Sequence, residues 1–251
     1  MQIDDNQNPF SLVADFEGDE SSVFEVEMED TLPILPLRNM VLFPGVVLPV
    51  AVGRKSSLRL AKTASKNKLN IGVVCQLNPE TESPGYADLY HTGTMAKIIR
   101  ILELPDHSTT VILQGMSRFN LKSIIAEKPY MTGEVEKLED KLPPKGNKEF
   151  EMLVDACRDR TIHYIQVSDQ IPKESMFAVK NISNNMFLVN FICANFPFPI
   201  ANKMNLLEEG ALDLRTVQLL KILNREIQYS ELRAEIQRKT REDLDSQQRE
   251  Y

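Results

Sequence analysis

Leu32-Pro-Ile-Leu-Pro-Leu-Arg-Asn-Met-Val-Leu-Phe-Pro-Gly45 is the stretch from which the rest of the chain is read. Residues 32–37 are apolar enough for a strand, but Pro33 and Pro36 cannot donate to a ladder, so the strand is expected at an edge or with a bulge. Pro44-Gly45 marks a turn, and the apolar run resumes through Val50. Beyond it, Leu58, Ala61 and Ala64 recur at helical spacing, which predicts a short helix over 56–66 with Ser56 or Ser57 as its N-cap. Residues 71–77 form a short β-branched run of the kind found in buried strands. Residues 93–104 and 109–115 pair as a hairpin across Pro105-Asp-His-Ser108, and 117–125 and 131–138 supply further strands. Six or so short strands with one small helix point to a closed or nearly closed barrel, which removes exposed edges.

Upstream of this region the composition changes. Residues 1–31 hold ten acids and no Lys or Arg, whereas the remaining 220 residues carry a net charge near +3. Such a segment repels itself and has little apolar surface to offset its ordering entropy. It is expected to be a disordered acidic leader; the sharper alternative is an intramolecular decoy or a partner-binding arm.

Downstream, residues 139–146 (EDKLPPKG) combine charge, two prolines and a glycine, and form the best internal boundary. From 147 to 209 the period becomes helical. Phe150, Val154, Cys157 and Ile165 mark one long helix, 176–179 and 186–193 mark two more, and 200–208 a fourth. The 186–193 segment is apolar nearly all round and is expected at the centre of a small bundle. From Ala211 to Tyr251 there is neither Gly nor Pro. Leu212, Val217, Leu220, Leu223 and Ile227 give this last helix an apolar face, and 225–251 is dense in charge of both signs. The helix is expected to pack first and then project, and to continue into a longer parent chain.

The reading is therefore α+β: an acidic leader (1–31), a β-rich lobe (32–139), a helical lobe (147–209) and a long terminal helix (211–251). The 251 residues carry a formal net charge of −7, with all surplus acid in the leader, and the near-balanced body disfavours nucleic acid as a partner. No run approaches the ~18 apolar residues of a membrane span, and no basic-apolar leader marks a secretory signal. Three scattered cysteines, Cys75, Cys157 and Cys193, fit small core residues in the reducing cytoplasm rather than a disulfide framework or a zinc site.

The chain has no phosphate-binding G-x-x-x-x-G-K-[ST], no G-x-G-x-x-G, no G-x-S-x-G and no H-E-x-x-H. Gly53-Arg-Lys-Ser56 ends like a phosphate loop but lacks the upstream glycine. His91, His107 and His163 have no second ligand at helical or hairpin spacing. No catalytic residue, metal site or cofactor is expected within these residues, and a self-contained enzyme is disfavoured.

Several spaced motifs, in order, strongly resemble the N-terminal domain of the ATP-dependent Lon proteases. They are the opening 32–45, Leu48-Pro-Val-Ala-Val-Gly-Arg-Lys-Ser56, Val73-Val-Cys-Gln76, Asp88-Leu-Tyr-His-Thr-Gly-Thr-Met-Ala96, Leu104-Pro-Asp106 and Val111-Ile-Leu-Gln-Gly-Met-Ser-Arg118. Asn202-Lys-Met-Asn-Leu-Leu-Glu208 matches more weakly, and the closing Gln-Arg-Glu-Tyr251 looks like the segment that precedes the family's ATPase module. Two departures stand out. The family often has Gly-Arg-Glu-Lys-Ser where this chain reads Gly53-Arg-Lys-Ser-Ser57, and it often has glycine where the hairpin has His107. Without glycine's free positive φ, the turn is expected to change geometry.

The resemblance implies a PUA-like β lobe, a helical lobe and a long helix leading to an ATPase ring. It implies a parent that is a bacterial, cytoplasmic homohexamer using ATP and Mg and a Ser-Lys dyad outside these residues to degrade misfolded and regulatory proteins. This part would engage unfolded substrates and support assembly with other subunits. A receptor for unfolded chains needs shallow, adaptable apolar patches. Met40, Phe43 and Pro44 are candidates for such a patch, with Arg38, Arg54 and Lys55 on its rim. The competing and weightier reading takes Met40 and Phe43 as barrel core and the three cations as an ordinary solvated face. The alternative function is a stand-alone Lon-N-like or PUA-like module binding peptide, small ligand or RNA.

Overall fold

The structure is a computed structural model that describes residues 23–249, with side chains through residue 242. It has a β-rich N-terminal part and a helical C-terminal part. Most of the acidic leader, residues 1–22, lies outside the described residues. Its last part does not behave as a solvated arm. Val23 is 4% exposed, Val26 and Met28 pack on the barrel core, and Lys137 Nζ donates to the carbonyls of Phe24 (2.8 Å) and Val26 (3.4 Å). Apolar residues at 23, 24, 26 and 28 give this portion a side to bury, which the acids of the leader obscure.

Strand β1 (Thr31–Leu37) runs parallel to β3 (Ile71–Cys75) and antiparallel to β6 (Thr132–Lys137). It is thus an interior strand, against the expectation from its prolines. The ladder to β6 uses residues 31–33 and the ladder to β3 uses 34–37. Each half of β1 is laddered on one side only, so each proline has a side on which a missing N–H breaks nothing. Strand β2 (Val47–Val52), helix α1 (Lys55–Asn67) and β4 (Thr92–Glu103) follow the same path as the sequence pattern.

Strand β5 (Thr109–Ala126) is one 18-residue strand where two were expected. Its first half pairs with β2, its second half with β6, and β4 lies along most of its length. Register shifts on both flanks let it bend between these partners. The ring β5–β4–β3–β1–β6–β5 is closed, and β2 hangs on its outside, paired to β5 alone.

The interior of the ring is filled by Leu32, Ile34, Val74, Met95, Phe119, Leu121 and Val135. Leu35 and Leu37 belong instead to a second, larger core shared with the helical part, where Phe43, Val50 and Leu113 pack in the same cluster as Phe187, Phe191 and Leu223. Gly115 is required where the 43–46 loop crosses β5. The loop bonds to it through Gly45 N and Val46 O at 2.9 Å each, and a Cβ there would lie 2.2 Å from the Phe43 carbonyl oxygen.

Helix α1 starts at Lys55, so Arg54 is its N-cap rather than Ser56 or Ser57. Ser57 is buried on the helix's inner face, which disqualifies it. In the β4–β5 turn His107 keeps a left-handed backbone, φ 66°, against the expectation of a new geometry. Asp106 Oδ1 holds the turn by accepting from Ser108 N and Ser108 Oγ.

The helical part comprises α2 (Lys148–Val167), α3 (Ser175–Asn181), α4 (Asn185–Asn195), α5 (Ile200–Glu208) and α6 (Leu212–Arg249). Asn147 caps α2 and Asn184 caps α4, each side chain accepting from a backbone N–H three residues on. Every residue from Met186 to Ala194 is buried. α6 packs through Leu212, Leu219, Leu223 and Ile227, whereas every side chain from Glu231 to Glu242 is exposed.

The stretch 139–146 joins two parts that are not independent. Asp140 Oδ1 accepts from Arg118 Nε at 2.8 Å and lies 3.4 Å from an Arg215 terminal nitrogen. Arg118, on β5, also donates to the carbonyls of Glu139, Leu207 and Glu208, and Arg215, on α6, to that of Glu209. Both guanidiniums are 2% exposed.

Candidate functional site

The open feature of the β lobe follows from β2 being laddered on one side only. Between β2, the C-terminal half of β1 and the start of α1 runs a groove of about 380 Å³. Leu35, Leu37, Val50 and Val52 form its floor, and Met40, half-buried, lies along it. Arg38 and Arg54 also line it. A second depression of about 240 Å³ lies on the other side of Arg54, bounded by Ile34, Glu82, Lys128 and Tyr130. A third, flatter face carries Lys55, Arg59, Glu127 and Lys128.

Arg54 is the hinge of this surface. One of its terminal nitrogens donates to Gln76 Oε1 and to the Thr81 carbonyl at 3.1 Å, and Gln76 Nε2 donates to the same carbonyl at 2.9 Å. This ties the 78–85 loop to α1. Arg54 Nε is buried with no hydrogen-bond partner. Partial burial, and then the like charge of Arg38, pull the Arg54 guanidinium below its ordinary pKa, with Glu82 acting in the opposite direction. The first turn of α1 contains no acid, so the helix start adds no negative charge.

The six residues singled out from sequence divide. Arg38, Met40 and Arg54 come together on the groove. Lys55 is exposed but faces the adjoining depression. Phe43 and Pro44 are not on this surface. Phe43 is 0% exposed, with the Arg215 guanidinium 5.9 Å from its ring centre, and the buried Pro44 carbonyl accepts from Asn190 Nδ2 at 3.0 Å. They are core because the 43–46 loop folds inward over Gly115 and meets α4. Sequence reasoning missed Val50 and Val52 in the floor and Ala51 and Gly53 beside them; an unpaired side of β2 leaves no mark in its own residues.

The three thiols are all buried. Burial pushes the thiols up, Cys75 to about 11 and Cys157 and Cys193 to about 12. Among the described residues no three His, Cys, Asp or Glu side chains are placed to hold a metal ion, and no helix is long and apolar enough to cross a membrane. What the arrangement offers is a shallow apolar groove with two arginines in its lining.

Comparison with known proteins places this surface in context. The model of the ATP-dependent protease La (LON) substrate-binding domain matches residues 31–225. The chain is 48% identical to the Lon protease of Parabacteroides distasonis over 99% of its own length and 30% of that protein. It is 42% identical to the Lon protease of Flavobacterium johnsoniae over 93% of its length and 28% of that protein. The chain thus spans about 30% of the length of the curated relatives it matches. The fold matches the N-terminal domain of Mycobacterium avium complex Lon protease, with a TM-score of 0.57 at 17% identity, covering 77% of this chain and 98% of that one. It also matches a Lon N-terminal domain protein from Xanthomonas campestris, with a TM-score of 0.53 at 20% identity, covering 76% and 97%. From its β barrel to the packed half of α6, this chain belongs to the Lon protease substrate-binding domain family.

Proposed function

We propose that this chain is the substrate-engaging region of an ATP-dependent serine protease, and that it holds unfolded or damaged protein segments in the Arg38–Met40–Arg54 groove. The observation that carries this reading is the groove itself: Leu35, Leu37, Val50 and Val52 beside β2, which is laddered on one side only, with Met40, Arg38 and Arg54 also lining it. Unfolded chains present apolar side chains and unpaired backbone, and a free strand side with an apolar wall accepts both without demanding one sequence. Met40 adapts to differently shaped side chains because its thioether is flexible and polarizable.

Capture of this kind needs no chemistry. In the whole protease, ATP with Mg would drive unfolding and a Ser-Lys dyad would cleave, both outside this chain. Other subunits of a homohexamer are the partners, α6 supporting assembly, and the bacterial cytoplasm is the setting. Individual contacts of this kind are weak, so six copies in a ring gain by avidity.

The test is binding of a labelled, permanently unfolded protein, beside its folded counterpart and a single-stranded RNA, at two salt concentrations. Selective binding of the unfolded chain, weakened about tenfold by Met40→Asp with no change in melting temperature, is the expected result. Equal binding of folded and unfolded forms, or no effect of Met40→Asp, overturns the groove assignment. RNA binding that falls steeply with salt overturns the protein-substrate reading.

A further inference from the structure

The hydrogen bonds at the entry to β2 fix which way its backbone faces. Gly45, at φ 80°, donates to the Gly115 carbonyl, and Gly115 donates to the Val46 carbonyl, each at 2.9 Å. This is a glycine β-bulge, with Gly45 and Val46 opposite Gly115. Bonded and non-bonded pairs alternate along an antiparallel ladder. Counting from Val46, residues Leu48, Val50 and Val52 exchange bonds with Leu113, Val111 and Thr109 of β5. Val47, Pro49 and Ala51 turn their backbone groups to the free side of β2. Pro49 agrees with this count, since its missing N–H then leaves no gap in the ladder.

On that free side Pro49 offers a carbonyl and no donor. Ala51 is exposed and offers both N–H and C=O, and among the described residues no hydrogen bond from outside the ladder reaches them. The facing side of the groove is β1. Gln76 N donates to the Leu37 carbonyl at 2.8 Å, so Leu35 and Leu37 are the residues bonded to β3. Pro36, between them, turns away from β3 and has no N–H to give. Of the strand residues lining the groove, Ala51 alone has a free N–H.

We infer that an unfolded polypeptide enters the groove as an added strand on β2, in a register set by Ala51 and Pro49. Ala51 N–H donates to a substrate carbonyl, and the carbonyls of Ala51 and Pro49 accept from substrate N–H groups two residues apart. These three bonds are made by backbone alone and ask for no particular side chain. Every second side chain of the added strand lies on the face of Val50 and Val52, over the apolar floor. The site therefore selects extended segments with apolar residues at alternate positions, and it rejects proline at the two positions that must donate. The inference rests on the function proposed above and names the form in which the substrate is held.

The full chain is tested first with Ala51→Pro. By the parity that admits Pro49, this substitution removes the free donor and no ladder bond. The melting temperature is expected to stay unchanged, while binding of a reduced, S-alkylated unfolded protein weakens about tenfold. Amide exchange at Ala51, fast in the free chain, is expected to slow in the complex. Unchanged affinity, or an Ala51 amide that stays unprotected, overturns the added strand. A large fall in melting temperature would place the Ala51 N–H in the ladder and overturns it as well.

A second arm uses the unmodified chain and a short synthetic peptide of alternating Val and Ser as competitor. Versions N-methylated at every Val, or at every Ser, each remove one alternate set of donors. One set is expected to abolish competition and the other to change it by less than about twofold. Which set matters tells whether the strand runs parallel or antiparallel to β2. Equal losses from both sets, or a peptide that does not compete, overturn the added strand. Binding of the unfolded protein that Met40→Asp weakens and Ala51→Pro does not leaves capture in the groove standing without strand addition. Protection of Ala51 by the peptide, in a chain that binds no unfolded protein, does the reverse.

Discussion

Asn190 donates from Nδ2 to the carbonyl oxygen of Pro44 at 3.0 Å, across 146 residues of sequence. Its Oδ1 accepts from an Arg215 terminal nitrogen at 2.8 Å, so one buried amide binds the 43–46 loop, α4 and α6 together. Asn190→Leu would leave both the carbonyl and a guanidinium N–H without this partner in a dry site. A loss of about 2–3 kcal/mol in unfolding free energy is expected, measured by urea denaturation. A loss below ~0.5 kcal/mol would mean that water enters the junction.

Asp140 faces two buried guanidiniums, those of Arg118 and Arg215. Asp140→Asn removes the one carboxylate that the structure places on this pair. The expected cost is about 3–5 kcal/mol, the range for breaking a buried ion pair on one side. Differential scanning calorimetry would show it as a large drop in melting temperature. Replacing all three by apolar residues should cost far less than Asp140→Asn alone, because no charge is then left unpaired.

Phe43 and Met40 lie three residues apart and should respond in opposite ways. Phe43→Ala opens a cavity in the shared core and should cost about 3–5 kcal/mol of stability. Met40→Ala removes a half-buried side chain from the groove; it should weaken binding of an unfolded protein while shifting the melting temperature little. Parallel melting and binding titrations on the two variants separate the roles.

Lys203 on α5 is buried, its Nζ donating to the Ala194 carbonyl at 2.7 Å, and burial pulls its pKa from 10.5 down to about 8. Nearby Cys193 and Cys75 act weakly in the opposite direction. Below about pH 8 the ammonium is charged in both states. Between about 8 and 10.5 the native state has released a proton that the unfolded chain still holds, so this group makes stability rise with pH. The slope approaches about 1.4 kcal/mol per pH unit within that window. Urea midpoints from pH 7.5 to 10 should therefore rise in the parent chain relative to Lys203→Met. Parallel curves for the two would show that the lysine is not desolvated.

Periodicity made the helical part readable almost residue by residue, because an amphipathic stripe such as Phe150, Val154 and Cys157 reports its own burial. The ordered motifs carried the β lobe. What stayed hidden depends on partners distant in sequence. Pro33 and Pro36 argue for an edge, and only the split of the β1 ladders between β6 and β3 shows why they sit inside. Phe43 and Met40 are equally apolar, and the crossing over Gly115 decides which one faces inward. Arg118, Asp140 and Arg215 lie far apart in the chain and each looks like surface. On the candidate site, Arg38, Met40 and Arg54 were legible; the β2 residues 50–53 were not, since an unpaired strand side is a property of the sheet.

The shared core has a mechanical consequence. α6 leaves it as an uninterrupted 38-residue helix, a rod of ~57 Å. Arg215 grips its first turns, Ile227 is still buried, and His163 on α2 meets Glu231 at 3.0 Å, beyond which the side chains through Glu242 are exposed. The helix is thus a lever whose fulcrum lies at its last hold on α2, near Ile227 and Glu231. A tilt of ~5° about Ile227 swings the helix at Arg249 by ~3 Å, given a rise of 1.5 Å per residue. A load applied beyond Glu231 is therefore felt first as torque on α2, through Ile227 and the His163–Glu231 contact, before it reaches the core shared with the barrel.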